Sequence, residues 1–333
     1  MRSARATACS NIALVKYWGK RADTDPDLNL PDVGSLSLTL ADLATVTTVR
    51  PAVDGRDHFE LDGVPLDGRP ARRIAEHLDR VWAAAGLRGS RPACVVESEN
   101  HLPTAAGLAS SASGFAALTC AAAAAFEADL DDAALSALAR RGSGSAARSI
   151  FGGFVRLDRG VRPDGSDCVA RPVAGPDHWD VRLLVVRTTT GPKKVGSTEG
   201  MERCRTTSPY YRAWVETSEA DLDAATEAVL DRDIDRLGPI MEHSCFKMHA
   251  AMMASRPPLL YWKGTTVDAI HEVWALREAG CPAYLTIDAG PHVKVLVPAN
   301  RADEAAGRLR TVPGVEAVTI HAPGPAARVE VLP

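Results

Sequence analysis

An α+β fold is what this 333-residue sequence predicts. Strand patterns dominate its first hundred residues, helical periodicity runs from Tyr210 to Met253, and two apolar runs around a Gly-Pro turn, Pro282 to Val297, return to strand near the end. Strands and helices gathered in blocks mark that class. The length exceeds one typical core, so one large domain or two closely packed ones are expected, with a division near Val181.

Composition narrows the function classes. With 46% hydrophobic and 24% charged residues the chain is an ordinary globular protein. A net charge of −4 argues against nucleic-acid binding, which calls for a basic excess or stripe. The longest weakly polar run, Gly114 to Phe126, is too short and too Ala-rich to span a bilayer, and Met1 to Arg5 leads into no apolar signal segment. Seven scattered cysteines without metal-ligand spacing read as reduced, mostly buried thiols of a cytoplasmic protein.

The elements follow in order. Ala8 to Val15 is a strand that ends in an aromatic, basic turn, with Tyr17 and Trp18 packing and Lys16, Lys20 and Arg21 pointing to water. From Ser35 polar and apolar residues alternate, the period of a half-buried strand, and strand patterns continue through Thr45–Arg50 and His58–Leu61. Pro70 to Ala85 is an amphipathic helix whose basic residues, Arg72, Arg73, His77 and Arg80, form a solvated face. Val95 and Val96 close a β-branched run. Pro103 and Gly107 then make a turn, and Ser110, Ser111 and Ser113 open a long Ala-rich helix.

That last arrangement suits an anion. The first N–H groups of a helix lack partners and carry partial positive charge, a glycine lets the backbone approach a ligand, and hydroxyls can donate to phosphate or ligate its magnesium. Asp131 to Arg141 is a second helix. Beyond it Gly142-Ser143-Gly144-Ser145-Ala146-Ala147-Arg148 gathers N–H groups and hydroxyls beside a guanidinium able to grip a carboxylate or phosphate with two bonds. Val181 to Val186 is a buried-type strand. Thr188 to Met201 is a polar loop opening into helix, and Lys193 and Lys194 there suit solvent or an anion equally. Thr266 to Ala279 is a helix closed by Gly280, and a helix through Arg301–Arg310 and a strand at Arg328–Leu332 complete the layer. His243, His249 and His271 lack metal-site spacing.

Four separated strings carry a family likeness. Pro103-x-x-x-Gly107-Leu108-x-Ser110-Ser111-Ala112 resembles the phosphate loop of the GHMP kinases. Asn11-Ile12-Ala13-x-x-Lys16-Tyr17-Trp18-Gly19-Lys20-Arg21 resembles the opening signature of the mevalonate diphosphate decarboxylases, a branch of that superfamily. Gly142 to Ser149 and Asp288-Ala289-Gly290-Pro291 match two more of its signatures. Two positions depart from the pattern: Val33-Gly34 stands where a polar pair is usual, and His292 where asparagine is usual.

The resemblance implies the two-lobed GHMP kinase fold, with a ribosomal protein S5 domain 2-like N-terminal lobe (1–180) and a ferredoxin-like C-terminal lobe (181–333). It implies ATP-dependent decarboxylation of mevalonate 5-diphosphate to isopentenyl diphosphate in isoprenoid biosynthesis, with Mg2+, often as a homodimer. Activity on the monophosphate, or 3-phosphorylation without decarboxylation, is the alternative. On this likeness Asp288, Arg148 and Lys20 are catalytic. Tyr17, Trp18, Gly19, Lys20, Ser143, Gly144, Ser145, Ala146, Ala147, Arg148, Ser197 and Thr198 bind the phosphorylated substrate. Pro103, Ala105, Ala106, Gly107, Leu108, Ala109, Ser110 and Ser111 bind the nucleotide, and Ser110 and Ser111 also serve the metal.

Overall fold

The computed structural model describes residues 1–101, 110–188 and 195–333, with Ser110 described in its backbone alone. Strand β1 (Ser3–Val15) pairs antiparallel with β2 (Ser35–Pro51). The sequence suggested separate strands at 35–40 and 45–50. They are one, because the break around Asp42 is absorbed as an irregularity: Asp42 takes φ 63° and pairing jumps from Cys9–Ala44 to Asn11–Thr39. The strand changes partners there.

Next come β3 (His58–Leu61), β4 (Val64–Pro65), α1 (Gly68–Ala84), β5 (Cys94–His101), α2 (Ser110–Ala125) and α3 (Asp132–Gly142). The Asp131 carboxylate caps α3 by accepting the Ala134 N–H at 2.8 Å. A 3-10 segment, Gly144–Ile150, leads to β6 (Phe154–Leu157) and β7 (Ala170–Ala174). On the far side of β2's irregularity, Ser35 to Leu38 pair with β6, while Ala44 to Pro51 pair with β5.

Strand β8 (Val181–Arg187) begins a second sheet. It is followed by α4 (Ser197–Thr207), α5 (Tyr211–Asp231), α6 (Ile234–Met253), α7 (Gly264–Glu278), β9 (Tyr284–Ile287), β10 (Val293–Pro298), α8 (Ala302–Arg310), β11 (Ala317–His321) and β12 (Arg328–Leu332). The second sheet runs β11-β8-β10-β9, antiparallel throughout. The first runs β12-β1-β2-β5-β3-β4 with β6 and β7 branching from β2, so the last strand returns to pair with the first.

Three layers of apolar contact hold this together. The alanines of α2 pack with α1 and α3 against Ala4, Ala6, Ala8, Val49 and Val96 of the first sheet. Between the sheets, Ile12, Leu14, Leu36 and Leu38 meet Val181, Leu183 and Val185, closed by α5 and the start of α6. The opposite face of the second sheet, with Leu184, Val186, Val293 and Val295, is covered by α7 and α8. Being buried on both faces explains the unbroken apolar reading of β8. A fourth cluster, including Trp18, Val33, Trp214, Met248 and Tyr261, forms a floor where the two halves meet.

Candidate active site

A cleft of about 1430 Å³ opens above that floor. Its walls come from the end of β1, α1, the start of α2, the 3-10 segment, α4 and the β9–β10 turn. Asp288 sits in that turn. The turn is fastened from outside: the Pro291 carbonyl accepts hydroxyl bonds from Thr188 (2.9 Å) and Thr266 (2.8 Å), and the buried His249 ring bonds the Ile287 carbonyl at 3.1 Å. Burial holds His249 down at about 3, so its ring is neutral and Nε2–H is the donor.

Two ammonium groups grip the Asp288 carboxylate. Lys16 Nζ lies 2.5 Å from Oδ1 and Lys294 Nζ 2.9 Å from Oδ2, and their side chains are 1% and 3% exposed. Burial alone would raise the Asp288 pKa, but the charges and hydrogen bonds of the two lysines outweigh it and hold the carboxyl well below its ordinary range. Lys16 therefore does not point to water as the aromatic, basic turn suggested. Its backbone N–H bonds Ser244 Oγ of α6 at 3.0 Å, which turns the side chain inward.

Arg148 is also buried, and its partners are neutral. Nη1 donates to Ser35 Oγ at 2.5 Å, while Nε and Nη2 donate to Asn11 Oδ1 at 3.3 and 3.2 Å. The Asn11 amide is oriented by donating to Ser145 O and Ser149 Oγ, which leaves its oxygen for the guanidinium. Burial pushes Arg148 down to about 10, with Tyr17 and Asp288 opposing, so it is charged at neutral pH and its charge is not spent on a carboxylate partner. A cation kept this way suits an anionic ligand.

Around it the predicted contacts separate. Tyr17, Trp18, Lys20, Ser143, Gly144, Ser145, Ser197 and Thr198 line the cleft with Arg148 and Asp288. The Tyr17 hydroxyl is buried without a hydrogen-bond partner among the described residues. It lies where a Gly144 Cβ would stand, which is why position 144 has no side chain. Burial, then the nearby Arg73, lowers the pKa of Lys20. Gly19 is not on the wall: its φ of 106° turns the chain, and Tyr211 packs where a Cβ would go. Ala146 and Ala147 are in the core beneath α2.

Of the three hydroxyls expected at the phosphate, Ser113 is elsewhere. It is fully buried, 3.0 Å from Ser10 Oγ and 2.7 Å from Thr45 Oγ1, and ties α2 to the sheet. Two residues, about half a helical turn, separate its face from that of Ser111, whose hydroxyl reaches Ser143 Oγ at 3.3 Å on the cleft wall. Pro103, Ala105, Ala106, Gly107, Leu108 and Ala109, with Lys193 and Lys194, lie outside the described residues, as does the side chain of Ser110.

The basic face of α1 differs from expectation. His77 is buried against Thr119 at 2.8 Å and pushed down to about 3 by burial and the surrounding arginines. Arg69, Arg72, Arg73 and Arg80 line the cleft. Both departures from the family strings have structural accounts. Val33 is in the floor cluster, and Gly34 donates its N–H to Glu219 at 2.7 Å where a Cβ would strike Leu222. His292 Nδ1 accepts the Thr188 N–H at 3.2 Å, joining β8 to the turn that carries Asp288.

Asn11, Lys16, Lys294 and the arginine bank were missed. A lysine closing the apolar run of β1, and another inside Val-Lys-Val-Leu-Val of β10, were the available signals: a charge in a buried strand needs a partner.

Two sheets sharing one cleft, with the first turns of the Ala-rich α2 on its wall, make the GHMP kinase architecture. Family models described as the diphosphomevalonate decarboxylase-like N-terminal domain and the mevalonate 5-diphosphate decarboxylase C-terminal domain match residues 8–170 and 182–322. A diphosphomevalonate decarboxylase of Candida albicans is 37% identical over 316 residues, 89% of this chain and 84% of that one. The crystal structure of mevalonate diphosphate decarboxylase from Staphylococcus aureus is 37% identical, with TM-score 0.91 over 100% of this chain and 98% of that one. A structure described as MDDEF in complex with MVAPP, AMPPCP and magnesium is 37% identical, with TM-score 0.90 over 99% of each chain. The chain belongs to the diphosphomevalonate decarboxylase family.

Proposed function

We propose that this protein converts mevalonate 5-diphosphate and ATP into isopentenyl diphosphate, ADP, phosphate and CO2, using residues 1–180 and 181–333 as the two lobes around the cleft, with β12 of the second reaching back to the first sheet. The names of its relatives and the ligands of the magnesium complex support this reading. The observation that carries it is an ionised carboxylate, Asp288, facing a buried guanidinium, Arg148, whose partners are all neutral.

The chemistry needs both. The substrate's tertiary 3-hydroxyl is β to a carboxylate, and hydroxide leaves poorly. Asp288 takes the hydroxyl proton as the oxygen attacks the γ-phosphoryl of ATP, which makes that oxygen a phosphate leaving group. The C–O bond then breaks as the carboxylate departs as CO2, and the electrons of the C–C bond form the alkene. Arg148 holds the carboxylate in line for that step. Tyr17 and Trp18, with Lys20, Ser143, Gly144, Ser145, Ser197 and Thr198, hold the diphosphate tail, whose binding energy aligns the reacting end.

The nucleotide phosphates take the start of α2 with Ser110, Ser111 and the loop from Pro103 to Ala109, and the arginines of α1 balance their charge. Among the described residues no group of three His, Cys, Asp or Glu side chains is set to hold a metal. The donors are hydroxyls, Ser111 beside Ser143, which fits magnesium, an ion that keeps its waters and is bound largely through substrate phosphates. Held there by the hydroxyls of Ser110 and Ser111, it would supply positive charge against the phosphates during transfer. On this reading the enzyme works in the cytoplasm as a homodimer.

The test supplies the purified protein with ATP, Mg2+ and, separately, mevalonate 5-diphosphate, mevalonate 5-phosphate and mevalonate. ADP and CO2 should appear in equal amounts with the diphosphate. ADP without CO2, or faster turnover of the monophosphate, would overturn the reading, and sedimentation velocity tests the dimer.

A further inference from the structure

We infer that Lys294 is a positioning residue for the reaction: it fixes the plane and the ionisation of Asp288 from the side opposite Lys16, and acts through that carboxylate. The inference rests on the function proposed above and adds to it a residue in that reaction.

One ammonium at one oxygen would leave a carboxylate free to turn about its terminal bond. Here each oxygen has its own cation, 2.5 Å from Lys16 and 2.9 Å from Lys294. The two come from different sheets, Lys16 from just beyond β1 and Lys294 from β10, so neither can drift without moving a strand. Lys294 is the better anchored. Its backbone pairs with Thr286 on one side and Val185 on the other, and its ammonium also donates to the His292 carbonyl at 3.4 Å.

The charge balance points the same way. Lys16, Lys294 and Arg148 are three buried cations around one carboxylate. Among the described residues, the other titratable groups packed near it add no second anion. His249 and Cys245 come from α6 and His292 from the turn, and Arg187 on β8 stands near His292. Burial with Lys294 and Arg187 nearby lowers His292 to about 4, and burial raises Cys245 to about 11, so both are neutral at pH 7. The site keeps a cationic surplus even with Asp288 ionised. Such a surplus keeps the resting carboxylate ionised beside a triphosphate until the hydroxyl proton reaches it.

Lys294→Met and Lys294→Arg test this, with melting temperature checked first. In Lys294→Met the kcat for ADP release should fall at least twentyfold while both KM values stay within threefold. The acid limb of its kcat–pH profile should move to higher pH, because Asp288 loses a cation. Lys294→Arg should restore the wild-type acid limb and at least a tenth of kcat. A wild-type acid limb in Lys294→Met, a rise in KM with kcat unchanged, or an arginine variant no better than methionine would overturn the inference. If Lys294→Met does not fold, the arginine variant decides: a loss of kcat above tenfold, or a displaced acid limb, overturns the inference, and at least a tenth of kcat with the wild-type acid limb supports it. A wild-type protein inactive on mevalonate 5-diphosphate would instead overturn the proposed function, and shows itself before any variant is made.

Discussion

Lys16 and Asp288 stand 272 residues apart in the chain and 2.5 Å apart in the fold. The pair joins the end of the first strand to the turn after β9, and so brings the two halves of the site into register. A carboxylate held ionised this way meets the substrate hydroxyl unprotonated at neutral pH. Asp288→Asn should therefore lower kcat by about a thousandfold or more while leaving the fold intact. Steady-state ADP release checks the loss, and calorimetric titration with ATP should show a dissociation constant within a few-fold of wild type.

Asn11 aims Arg148. Asn11→Ala removes the acceptor of two guanidinium N–H bonds and should cost roughly 2–3 kcal/mol of stability. Asn11→Asp should keep the fold but pair its new charge with Arg148. The guanidinium then no longer seeks an anion, and KM for the carboxylate substrate should rise at least tenfold. Urea unfolding and initial rates separate the two effects.

His77 and His249 are buried neutral, each near 3 against an ordinary value of about 6.5. The unfolded chain binds their protons first as pH falls, so stability is full above about pH 6.5 and declines below it. The slope is about 1.4 kcal/mol per pH unit for each ring between about pH 6 and pH 4. Denaturant midpoints across that range should show the fall, and His77→Gln should remove about one ring's share of the slope.

Arg69 and Arg72 face the cleft from α1 and make no ion pair with any described residue. Replacing both by alanine should raise KM for ATP about three- to tenfold with a smaller change in kcat. The defect should shrink in high salt, where the wild-type advantage is screened.

The sequence made some of this readable and hid the rest for physical reasons. Asp288 and Arg148 could be found because each belongs to a local string with a Gly-rich neighbourhood. Lys16 could not, since a lysine after an apolar strand looks like a snorkelling edge until its partner arrives from the far end of the chain. Ser113 looked like a third phosphate donor because Ser110, Ser111 and Ser113 are close in sequence. Helical rotation sends it to the opposite face, into Ser10 and Thr45. The long β2 was split in reading because Asp42 breaks its alternation, and only pairing with β1 shows that the strand continues.

Helix α2 meets the sheet through Ala116, Ala117, Ala121 and Ala122, side chains so short that its axis lies close on β1. That fit works like a rod seated in a socket: whatever lifts the rod tilts its tip. Ala121 is about 15 Å along the helix from Ser111. Ala121→Leu would overfill the socket and displace the tip from the triphosphate, so a drop in ATP affinity would arise from a residue that no ligand touches.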